Sequence, residues 1–188
     1  MRRTSWQVVL IIFLALAATA AQAQTGTAPG KKPKASEESL MAWNSMARKI
    51  VEMAEDFPED KYDYKPTPEV RSFRQMLLHV AAVNYFFTNA AEGREVAPAE
   101  DDPAPEKYRT KADAVRFVTQ SFADGAAAIQ KKGPRGMGQY IKHPFANRQT
   151  SLNNLCRDIV EHSGEHYGNL VVYYRLNKMV PPASRPRK

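Results

Sequence analysis

Four long segments of this chain repeat apolar residues at spacings of three and four, and that pattern constrains its fold more than any other feature. The first runs Leu40, Trp43, Met46-Ala47, Ile50, Met53-Ala54, and the second Phe73, Met76-Leu77, Val80, Val83, Phe87. The third carries Ala114, Phe117-Val118, Phe122, Ala126, Ile129, and the last Leu152, Leu155, Ile159, His162, His166, Leu170, Tyr173. This period lines up side chains on one face of a helix, where burying them against neighbours offsets the entropy of ordering the chain. No alternating strand pattern and no internal repeat competes with it. The expected fold is all-α, a four-helix bundle with helices at Ser36–Asp56, Ser72–Ala91, Lys111–Lys131 and Ser151–Lys178. Ser36 and Ser72 are expected N-caps, and Phe57-Pro58, Gly93, Gly133-Pro134 and Pro181-Pro182 are the expected stops. Glu92 to Thr110 is a long connection for a compact bundle. It fits a crossover that carries the chain back along the bundle, so that the second and third helices run parallel. Arg135 to Arg148 is expected to be an ordered loop with aromatic anchors.

The N-terminal residues follow a different logic. Arg2 and Arg3 precede an apolar run from Val8 to Ala18, and Ala21-Gln22-Ala23 has the small-x-small form of a cleavage site. The run falls short of the roughly 20 residues that span a bilayer, so residues 1–23 are expected to be a signal peptide cleaved after Ala23. Residues 24–35 are expected to be a flexible linker, 36–185 the bundle and 186–188 a basic tail. This organisation implies a periplasmic or secreted protein with no stable membrane span after cleavage.

The formal net charge of +7 sits mostly at the ends. Without the eight basic residues of the signal, linker and tail, 19 basic residues face 20 acidic ones. A nucleic-acid reader carries its basic patch on the fold itself, and this body is close to neutral. Nucleic acid is therefore not an expected partner. Cys156 is the single cysteine, which excludes an intrachain disulfide, and its place near an apolar stripe fits a buried, inert thiol.

The chemistry lies in the histidines, of which there are four. His162 and His166 stand one turn apart on the stripe expected to face the core. Two imidazoles at that spacing can chelate one divalent ion, which also partners two polar rings that would otherwise be buried at a cost. Glu165 completes the H-x-x-E-H order of a metallopeptidase, in which the glutamate is the base. That reading needs a downstream carboxylate ligand, and no Asp or Glu follows Glu165. Glu161 and Glu165 lie about 100° around the helix from the histidines and are expected to face solvent. His143, in a loop, is expected at the surface.

Taken together, Leu77-Leu78-His79-Val80, His162-x3-His166-Tyr167-Gly168-Asn169, Val172-Tyr173-Tyr174-Arg175-Leu176-Asn177 and Pro181-Pro182 resemble the DinB-like family of metal-binding four-helix bundles. The resemblance covers roughly Ser36 to Arg185. It implies one divalent metal, zinc or nickel above others, on His79, His162 and His166, and a long crossover between helices 2 and 3. Asn169 stands where the family commonly has glutamine, and Lys178 where a glycine often precedes the last turn. Three neutral imidazoles leave coordination positions open, as in catalytic sites. A metal-dependent hydrolase or transferase acting on an unidentified small molecule is the expectation. The alternative is a non-enzymatic, metal-stabilised binding or dimerisation module, and a homodimer is compatible with either.

Overall fold

The structure, a computed structural model, describes residues 34–94 and 102–186. The signal segment, most of the linker, residues 95–101 of the crossover and the last two residues lie outside it. The bundle consists of α1 (Ala35–Asp56), α2 (Phe73–Glu92), α3 (Lys111–Met137) and α4 (Leu152–Leu176). Among the described residues no helix is long and apolar enough to cross a membrane.

Local chemistry sets most of the helix starts. Ser72 accepts from the Gln75 N–H at 3.2 Å, and the Gln75 side chain accepts from the Ser72 N–H at 2.8 Å. Thr110 and Asp113 form the same reciprocal pair, and Ser151 caps α4 by accepting from the Asn154 N–H at 3.1 Å. Each cap satisfies amide donors that have no partner within the helix. The first helix differs from expectation. It begins one residue earlier, the Glu37 carboxylate accepts from the Lys34 N–H at 3.0 Å, and Ser36 lies buried inside the first turn. Gly93 ends α2 at φ 74°, a left-handed conformation that glycine adopts without a Cβ penalty.

Cross-bundle contacts give the directions. Arg74, at the start of α2, donates to the carbonyls of Tyr108 and Arg109 just before α3, so α2 and α3 run parallel, as the long crossover requires. Ser39 meets Asn153 at one end of α1 and α4, and Tyr174 donates to the Met53 carbonyl at the other, so these two are parallel as well. Phe57 stacks on Phe73, joining the end of α1 to the start of α2. The bundle is therefore up-down-down-up. Trp43 locks α1 to α3. It is fully buried, its indole donates to the Phe122 carbonyl at 2.8 Å, and its ring occupies the space a side chain at Gly125 would need.

Two features depart from the sequence reading. Gly133-Pro134 kinks α3 instead of ending it: Gly133 takes φ 58° and ψ −172°, and a final turn continues to Met137. Proline lacks an amide donor and is pre-set for a first turn, so it restarts the helix beyond the break. The segment expected to be a loop then forms a hairpin. Strand β1 (Tyr140–Lys142) pairs antiparallel with β2 (Gln149–Ser151), Tyr140 opposite Ser151. Three residues are too few for alternation to be readable in sequence. The second strand leads directly into α4, and the hairpin lays Phe145 edge-on against Phe86 of α2, centroids 4.5 Å apart.

Candidate metal centre

Helices α2 and α4 run antiparallel side by side and bring His79, His162 and His166 together. The Nε2 atoms of His79 and His162 are 3.2 Å apart, and those of His166 and His162 3.0 Å apart. One ligand atom from each ring lies within 4.8 Å of the others. Metal–nitrogen bonds of about 2.0–2.1 Å place two ligand atoms roughly 3.4 Å apart at a tetrahedral angle and about 2.9 Å apart at a right angle. The observed spacings fall between these values.

The donor set itself favours a cation. Each Nε2 carries either one in-plane lone pair or one proton. His162 Nε2 faces two neighbours at hydrogen-bond distance, and one lone pair or proton cannot make two well-aligned bonds. A divalent ion held by His79, His162 and His166 would satisfy all three nitrogens. The other nitrogens of His79 and His166 each meet a polar side chain. His79 Nδ1 is 3.4 Å from Asp102 Oδ1, and Asp102 is held in a two-pronged pair by Arg71, at 2.9 and 2.6 Å. Tyr173 in turn donates its hydroxyl to the Arg71 carbonyl. A carboxylate at Nδ1 keeps the proton there and leaves the Nε2 lone pair for the ion. The Asn169 amide nitrogen lies 3.3 Å from His166 Nδ1, a contact that orients the ring.

Electrostatics agrees. Burial first, and then the neighbouring His162 and His79, push the His166 imidazolium down to about 4, so the ring is neutral near pH 7 and able to act as a ligand. The Arg71 guanidinium holds the Asp102 carboxyl below the usual carboxylate range. Cys156 is buried and burial pushes its thiol up to about 12, as expected of an inert cysteine.

His79 is buried, while His162 and His166 are half-buried, so the site opens at the rim of the core instead of being sealed within it. Glu161 and Glu165 are exposed, consistent with their predicted place away from the ligands. His143 requires a correction. It is buried, 8 % exposed, because the hairpin folds it inward beside Asp158. Among the described residues the ligand cluster nevertheless stops at three histidines. A cavity of about 270 Å³ adjoins them, lined by His79, His162, His143 and mainly apolar side chains. Two larger clefts, about 640 and 500 Å³, do not include the histidines.

Sequence spacing does not reveal Asp102, Arg71 or Asp158. Asp102 lies in an aperiodic crossover and Asp158 on a helix flank, and only folding brings each to a histidine. Asn169 had a usable signal, since a residue three after a helical histidine shares its face.

The model of the DinB superfamily matches residues 42–170, which include all three histidines. Among solved structures, the DinB-like protein YjoA of Bacillus subtilis superposes with a TM-score of 0.63 at 20 % identity, covering 80 % of this chain and 99 % of that one. No curated protein matches. The four helices, the long crossover and the matched span together show that the chain belongs to the DinB superfamily.

Proposed function

We propose that this protein binds one divalent metal ion through His79, His162 and His166 and uses its open side to act on a small molecule, as a hydrolase or transferase. The observation that carries this reading is the convergence of three Nε2 atoms on one point beside a cavity. Three protein nitrogens leave room for an exchangeable ligand, which is how catalytic sites differ from closed structural ones. When bound, such an ion supplies Lewis acidity, activating a water or polarising a bound group. The protein's own residues do the rest. Asp102 and Asn169 orient the His79 and His166 rings, Arg71 fixes Asp102, and the surrounding helices limit solvent access. Imidazole ligands suit zinc, nickel, copper or iron, and the family resemblance favours zinc or nickel among them.

Elemental analysis of the purified protein beside a His79→Ala/His162→Ala/His166→Ala variant tests the reading. One metal ion per wild-type chain and none in the variant is the expected result; equal metal content in the two would overturn it.

The proposal extends to location on the strength of the N-terminal residues alone. Their basic start, apolar run and Ala-Gln-Ala site support export to the periplasm or beyond. N-terminal sequencing of the protein from an envelope fraction should begin at Gln24. An intact Met1 terminus on all of the protein would rule out cleavage.

A further inference from the structure

The cavity beside the three histidines has a second polar wall. His143 Nδ1 accepts a hydrogen bond from the Phe145 N–H at 3.0 Å, which places the proton of the neutral ring on Nε2. That Nε2 lies 3.6 Å from Asp158 Oδ2, close enough for the carboxylate to orient the ring but beyond a hydrogen bond of ordinary length. Asp158 is itself shared with Arg148 and Arg157, at 3.6 and 3.8 Å. The His143 donor is thus held in place, retains capacity for an acceptor, and lines the same cavity as His79 and His162. Asp158 lines the cavity too, and the rest of the lining is apolar: Val83, Leu155, Ile159 and Phe145. A volume of about 270 Å³ equals that of roughly nine liquid waters at ~30 Å³ each, which suits a compact ligand.

We propose that this cavity binds a small compound with a compact apolar body and an acidic, metal-seeking head, and that His143 is its second anchor, donating from Nε2 to the head while Asp158 positions the ring. The inference rests on the metal reading above and adds the ligand class and a binding residue to it. A large polar or extended substrate does not match this lining. The small apolar walls select the body of the ligand, and the two imidazole-bearing sides select its head.

Two hydroxamates sharing one metal-seeking head serve as probes, one with a phenyl body and one with a methyl body. On the cobalt-loaded protein, followed by the visible cobalt bands, benzohydroxamate should bind at least about tenfold more tightly than acetohydroxamate, the added carbons being buried. Val83→Phe, which fills the cavity, should reduce that preference to about twofold or less. His143→Leu should weaken both probes by roughly fivefold to tenfold, as for one lost hydrogen bond, with cobalt stoichiometry unchanged. His143→Gln, which keeps a donor, should recover part of that loss. Equal affinity for the two hydroxamates, or unchanged affinity in a folded, cobalt-loaded His143→Leu protein, would overturn the proposal and leave the metal reading intact. If His143→Leu does not fold, a His143→Ala protein decides, and no change in its affinity for either probe counts against the anchor. A protein that takes up no cobalt would defeat the metal reading instead. The methyl NMR signals of Val83, Leu155 and Ile159 in the metal-free protein would then decide the cavity, their shift with benzohydroxamate supporting it and their indifference overturning it.

Discussion

Helices α2 and α4 each serve two regions built on opposite terms. Near the start of α2, Phe73 stacks on Phe57 at 3.9 Å and meets Tyr62 edge-on, with Tyr174 closing the cluster from α4. All four rings are fully buried, and both tyrosine hydroxyls donate to carbonyls, of Ala54 and Met53. Less than two turns further along α2, His79 faces two half-buried histidines and an open cavity. The aromatic region is satisfied by protein alone. In the histidine region three imidazoles meet at 3.2 and 3.0 Å beside that cavity. The first region is packed rings and the second the candidate metal centre, with the Tyr173 hydroxyl donating to the Arg71 carbonyl between them.

The largest expected effect breaks the histidine side alone. His162→Ala removes the nitrogen that both other rings face, so stoichiometric metal should disappear on elemental analysis. The metal-free protein should stay folded, with urea stability lower than wild type by about 1 kcal/mol, the worth of one ordinary hydrogen bond.

The converse change is Phe57→Ala. It should cost about 3–5 kcal/mol in urea unfolding by opening a cavity in the aromatic cluster, while folded protein still binds one metal per chain. If this variant lost metal without losing stability, the separation of the two regions would be wrong.

Gly125→Ala tests packing away from both. Its Cβ would sit 2.0 Å from Trp43 Cζ2, so the fully buried indole must move. Thermal or urea unfolding should show a loss of about 1–3 kcal/mol, as for other overpacked cores.

Asp102→Asn addresses the support of one ligand. Metal affinity in a chelator competition should fall about 10–100-fold, the usual cost of altering a ligand's hydrogen-bond partner, with little change in unfolding.

The smallest effect is on pH dependence. His166 has a folded value lowered to about 4 from an ordinary 6.5, so below 6.5 the unfolded chain binds the proton more readily. Its contribution to stability is complete above about 6.5 and declines as pH falls toward 4. Metal-free wild type should therefore lose stability more steeply across that window than His166→Gln. Parallel curves for the two proteins would contradict the assignment.

Much of this was legible in order along the chain. Helical period is a local property, and Trp43, Phe73, Phe122 and Leu155 marked their buried faces because a helix repeats its own geometry every few residues. His162 and His166 were legible as a pair for the same reason. His79 joined them through the family resemblance, since spacing within one helix says nothing about its neighbour. Glu92–Thr110 also announced the parallel pair of helices, because a chain must be long to return along a bundle. Gly133-Pro134 misled, since the same dipeptide can stop a helix or kink it. The burial of His143 was hidden for a related reason: a three-residue strand carries no periodic signal, and its pairing depends on a partner strand seven residues away in register.

By itself, then, the sequence determined the bundle, its connection lengths and two of the three histidines, all of which follow from repeats and distances along one chain. The tertiary structure alone decided that Asp102 would meet His79, that Asp158 would meet His143, and that a cavity would lie between the histidines. Those contacts join separate elements, and only the packing of α2, α4 and the hairpin brings their side chains within reach of one another.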